Sequence, residues 1–84
     1  MHELSLANGI FDIVRQYVPI ERGQLVRAVR VRVGDLAGVV PDSLAWCFSA
    51  IVSDTPYEQA WLAINPTTGP ELQVADIELE EETP

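Results

Sequence analysis

Between Glu3 and Val18 the apolar residues Leu6, Ile10, Ile13, Val14 and Tyr17, with Ala7, Phe11 and Val18 beside them, recur every three or four positions. This spacing predicts an amphipathic helix. Pro19 ends it, because a proline pushes the residue before it out of the helical region. Ile20 to Gly23 reads as a connecting turn. From Leu25 to Val33 the pattern changes to alternation, with Val29, Val31 and Val33 on one side and Arg30 and Arg32 on the other. That is a strand with one solvated face. Arg27 shares the valine parity, which places the strand's first residues beyond the edge of the core.

Gly34-Asp35-Leu36-Ala37-Gly38-Val39-Val40 reads as a loop, and Pro41 suits the first turn of a second helix. Asp42 beside it favours the positive end of the helix dipole. Leu44, Cys47, Phe48, Ile51 and Val52 form that helix's buried stripe, and Trp46 lies off its centre. Ser53-Asp54-Thr55-Pro56 stops the helix. Two short strands follow, Ala60 to Asn65 and Leu72 to Leu79, joined by Pro66-Thr67-Thr68-Gly69-Pro70, which has hairpin length and turn chemistry. In the last strand Leu72 and Val74 have even parity while Ile77 and Leu79 have odd parity, so a bulge near Ala75-Asp76 is expected.

The order helix, strand, helix, strand, strand predicts an α+β fold, a three-stranded mixed sheet with two helices on one face. The first two strands should be parallel, since a helix joins them, and the last is expected to close an antiparallel hairpin. Arg30, Arg32, Trp61, Ala63 and Gln73 then occupy the uncovered face.

Charge narrows the function. Thirteen acidic residues against five arginines give a net charge of −8, which argues against a nucleic-acid partner or an anionic membrane surface. The run Glu78 to Glu82 within the closing segment reads as a solvated acidic tail over residues 80–84. No apolar run reaches the roughly 20 residues needed to span a bilayer, and no signal-like segment precedes the first helix, so a cytoplasmic protein is expected. The one cysteine, Cys47, reads as a small buried hydrophobe; it offers no disulfide and no structural zinc. Enzyme chemistry lacks its parts. There is one histidine, Ser5, Ser43, Ser49 and Ser53 lie in helical contexts without a neighbouring base, and no phosphate loop is present.

The remaining chemistry lies in Met1-His2-Glu3. The Met1 amine, the deprotonated amide nitrogen of His2 and its imidazole Nδ1 can close a five- and a six-membered ring around one ion. Three nitrogens in a plane suit the square-planar or tetragonal preference of Ni(II) or Cu(II).

Taken with this triplet, Leu4-Ser5-Leu6, Val31-Arg32-Val33-Gly34-Asp35-Leu36-Ala37-Gly38-Val39, Pro41-Asp42-Ser43-Leu44 and Glu71-Leu72-Gln73-Val74 resemble the HypA/HybF family of nickel-delivering accessory proteins. These serve [NiFe]-hydrogenase maturation and, in some bacteria, urease maturation. The resemblance implies a single nickel-binding domain over residues 1–84, with Ni(II) held by the Met1 amine, the His2 amide and imidazole, and the Glu3 amide or carboxylate. A bulky second residue also disfavours removal of the initiator methionine. Family members insert a zinc domain with two Cys-x-x-Cys pairs between the last two strands, whereas here a short turn at 65–71 stands in its place and no structural zinc is expected. The implied partners are the maturation GTPase or the hydrogenase large subunit. The alternative function is an interaction module, natural or an engineered zinc-domain deletion, that keeps the fold without delivering metal, with homodimers formed through the exposed sheet face or by strand exchange.

Overall fold

The computed structural model describes residues 2–81. Met1 of the expected chelate and residues 82–84 of the expected acidic tail lie outside the described residues. The elements are α1 (Glu3–Tyr17), a 3-10 turn (Ile20–Leu25), β1 (Val26–Gly34), α2 (Pro41–Val52), β2 (Trp61–Thr67) and β3 (Leu72–Leu79). The α+β architecture and the order of its elements are as the periodicities predicted. The expected turn at Ile20 is helical, and Tyr17, counted on the apolar stripe, stands 75% exposed.

Val29, Val31 and Val33 of β1 point into one core with Ala7, Val14, Leu44 and Phe48 from the helices. The rings of Phe11 and Phe48 meet edge to face at 6.4 Å, and Phe11 and Tyr57 do so at 5.2 Å. The Tyr57 hydroxyl donates to the Val18 carbonyl at 2.7 Å, a group just past the end of α1 that the helix itself leaves without a partner. Cys47 is half-buried rather than enclosed.

Sheet order is β2-β1-β3. β1 and β2 are parallel, with Val31 opposite Ile64 and Gly34 opposite Thr67, and β3 runs antiparallel to β1. The expected hairpin is therefore corrected: β1 lies between β2 and β3. The sequence of the 66–70 segment has hairpin chemistry, but a parallel β1–β2 pair leaves the other edge of β1 free, and β3 takes it. The connection must step over the end of β1, across two strand spacings or about 10 Å.

That crossing is fastened by backbone bonds. The Gly34 N–H donates to the Glu71 carbonyl at 2.6 Å, Asp35 N–H to Thr67 at 2.9 Å and Leu36 N–H to Gly69 at 2.8 Å. Asp35 Oδ1 accepts from the Gly69 N–H at 2.8 Å. The chain passes so close that a Cβ on Gly34 would lie 2.0 Å from the Gly69 carbonyl oxygen.

Two register shifts reset the faces. Between Arg30 and Val31, β3 advances from Asp76 to Val74, leaving Ala75 as the extra residue, where the change of parity placed a bulge. A second shift lies between Val26 and Ala28 and corrects the reading of Arg27. Val26 is fully buried, so the strand's start is inside the core, and the extra residue turns Arg27 outward to Glu80 and Gln59. On the same open face Arg30 bonds Asp76 at 2.8 Å and also Glu78. The hydrogen bond to Asp76, then that to Glu78, raises the guanidinium pKa further above its ordinary value.

Candidate metal centre

Helix α1 begins because Glu3, Ala7, Ile10, Phe11 and Val14 present one buried face, and this sets where His2 stands. His2 is the N-cap residue, with φ −121° and ψ 25°. Its carbonyl accepts the Leu6 N–H at 2.8 Å, so the backbone is fixed at the first turn. The imidazole is solvent-exposed and has no hydrogen-bond partner among the described residues.

The backbone nitrogens here are chemically distinctive. The first N–H groups of a helix have no carbonyl four residues back, so a metal taking the His2 nitrogen breaks no bond of the helical ladder. The positive end of the α1 dipole favours an anion, and hence the deprotonated amide that a terminal chelate requires. His2 and the first turn of α1 thus supply imidazole and amide donors side by side. Among the described residues no three His, Cys, Asp or Glu side chains come together as a metal cluster.

Glu3 behaves differently from His2. It is 8% exposed, and its Oε2 accepts the Val40 N–H at 3.1 Å. Val40 in turn is the N-cap of α2 and accepts the Leu44 N–H at 3.0 Å. The carboxylate thus clasps the starts of the two helices together. Glu3→Ala is expected to lower stability by about 1–2 kcal/mol and Glu3→Gln, which keeps a carbonyl acceptor, by well under 1 kcal/mol. Urea denaturation of the two variants measures the difference; equal losses would contradict the clasp. The Val40 partner leaves no mark in the sequence, because the donor is a backbone amide and any non-proline residue carries one. The one hint is the buried position of Glu3 on the helix's apolar face.

The loop from Gly34 to Val40 is consequently held at both ends, by the 67–71 crossing at one and by the Glu3 carboxylate at the other. The conspicuous Trp46 and Trp61 are 73% and 58% exposed, on α2 and on the open sheet face.

Comparison with known proteins finds a match to the family profile described as hydrogenase/urease nickel incorporation, metallochaperone, HypA, over residues 1–71. Similar curated proteins include the hydrogenase maturation factor HypA of Desulfatibacillum aliphaticivorans, 43% identical over 65 residues, covering 76% of this chain and 50% of the relative. That of Streptomyces avermitilis is 44% identical over 71 residues, covering 82% and 53%. That of Geobacter metallireducens is 39% identical over 69 residues, covering 82% and 60%. The chain thus spans between half and three-fifths of the length of these relatives.

Proposed function

Because this chain belongs to the HypA family of hydrogenase/urease nickel-incorporation metallochaperones, we propose that it is a non-catalytic Ni(II) carrier in [NiFe]-hydrogenase maturation that captures its cargo at Met1, His2 and Glu3. The observation that carries this is the family match across residues 1–71, which contains the terminal triplet. It is supported by the exposed imidazole at the N-cap of α1.

In this reading the Met1 amine, the His2 amide nitrogen and the His2 imidazole Nδ1 bind the ion. Glu3 offers its amide nitrogen, its carboxylate being engaged at Val40. Amine, amide and imidazole must all shed or lack a proton to bind, so affinity falls as pH falls. The ion's remaining positions are left to water or to a partner's donor. A donor entering there begins ligand exchange, so cargo held beside the exposed His2 is released without unfolding the domain. The partner is the maturation GTPase or the hydrogenase large subunit, and the setting is the cytoplasm. The 65–71 crossing takes the place of the family's zinc module.

Isothermal titration of Ni(II) into the wild type and His2→Ala tests the assignment. Removing a ligand that closes a chelate ring is expected to weaken binding about a hundredfold or more. Unchanged affinity in His2→Ala would overturn it.

A further inference from the structure

The two edges of the sheet are built differently. With the order β2-β1-β3, β2 and β3 each leave one side of the strand unpaired, and such an edge invites another strand. β3 carries the devices that discourage this, an extra residue at Ala75 and the acidic Asp76 and Glu78. β2 has neither. Its residues Trp61-Leu62-Ala63-Ile64-Asn65-Pro66-Thr67 include no charge, and it runs beside β1 without a shift of register.

Which groups β2 offers follows from its pairing. The Thr67 carbonyl accepts the Asp35 N–H at 2.9 Å, so the Thr67 backbone faces β1, and by alternation those of Asn65, Ala63 and Trp61 do too. Leu62, Ile64 and Pro66 therefore turn theirs outward. The N–H and C=O groups of Leu62 and Ile64 have no partner among the described residues. Both ends of this outward series are stopped. Pro66 has no N–H to give, and the Ala60 N–H already donates to the Tyr57 carbonyl at 2.9 Å.

The outward groups of Leu62 and Ile64 are self-complementary. Placed antiparallel with Leu62 opposite Ile64 of a second copy, the two residues exchange both N–H···O=C bonds, and the twofold axis repeats the exchange. A slip of the register either way leaves a carbonyl unmatched: that of Ile64 against Ala60, whose N–H is taken, or that of Leu62 against Pro66, which has none. In the matched register Ala63 meets Ala63 on the axis and Trp61, 58% exposed in the single chain, lies opposite Asn65. On the core side Leu62 stands opposite the half-buried Ile64, apolar against apolar. The net charge of −8 draws nothing from β2, and at physiological salt it is screened over about 8 Å.

We propose that β2 is a self-association edge, which pairs antiparallel with β2 of a second copy and joins the two three-stranded sheets into one. The assembly closes as a dimer, because each copy uses its β2 edge once and the β3 edge is protected. The pairing rests on backbone register and does not depend on the nickel-binding reading.

Sedimentation equilibrium of the full, metal-free chain at physiological salt tests it. So short a ladder makes a small interface, so the mass is expected to rise from one chain at about 10 µM toward two at about 1 mM. Over the same range, hydrogen exchange at the Leu62 and Ile64 amides is expected to slow at least about threefold. Ala63→Glu sets like charges opposite each other on the axis and is expected to weaken association at least about tenfold. Ala63→Ser, which keeps the side chain small, should associate as the wild type does. The exchange measurement reads the edge in the wild type and needs no variant to fold. One chain at every concentration, which would leave the edge to a strand of another protein, would overturn the proposal. So would a mass that climbs past two chains, slowed exchange confined to other strands, or undiminished association in Ala63→Glu.

Discussion

Gly34→Ala is expected to cost about 3–5 kcal/mol of folding free energy, combining overpacking with weakened hydrogen bonds. The added methyl would sit 2.0 Å from the Gly69 carbonyl oxygen and 2.8 Å from the Glu71 nitrogen. These are backbone atoms, so no side chain can swing aside. The only relief is to lift the 67–71 crossing off the end of β1, which strains the bonds from Gly34, Asp35 and Leu36 into that segment. A domain of this length has only about 4–13 kcal/mol in hand. Urea denaturation with Asp35→Ala as comparison separates the causes. The aspartate variant loses only the bond to the Gly69 N–H and is expected to fall by about 1 kcal/mol. A Gly34→Ala loss no greater than that would contradict the crossing.

This crossing is also where the sequence was least legible. The helices and β1 announced themselves through periodicity, because each has one face in the core and one in water. The bulge at Ala75 was visible for the same reason: a change of parity within β3 has few other causes. Strand partners are another matter. Pro66 to Pro70 has the residues of a hairpin, and nothing local says that β1 will lie between the strands it joins. Gly34 looked like loop punctuation, although its task is to let a distant backbone pass. Arg27 was misread because one extra residue reverses parity, and with a single valine, Val26, before it, the run was too short to show the reversal. At the candidate site the proposed donors His2 and Glu3 were legible as residue types. The fate of the Glu3 carboxylate was not, since Val40 contributes only a main-chain N–H.

Acetylating the Met1 α-amine is the second large effect. The acetylated nitrogen no longer offers a basic lone pair, so the five-membered ring that it closes with the His2 amide nitrogen is lost. Loss of this donor is expected to weaken Ni(II) binding about a hundredfold or more. The urea midpoint should stay where it is, because the core begins at Glu3 and Ala7. Affinity and stability therefore separate in the acetylated protein. Equal Ni(II) affinity with and without the acetyl group would show that the amine is no ligand; a large loss of stability would show that the terminus is part of the fold.

The most direct measurement of nickel capture at the terminus is a Ni(II) titration of the ¹⁵N-labelled protein with a free Met1 amine, followed residue by residue. At one equivalent, the amide signals of His2 to Leu6 are expected to shift or vanish, with a smaller response at Val40 through the Glu3 carboxylate, and none of this in the protein with an acetylated Met1 amine. A first equivalent that instead perturbs the Asp76 to Glu81 edge, or that perturbs the acetylated protein equally, would contradict the account.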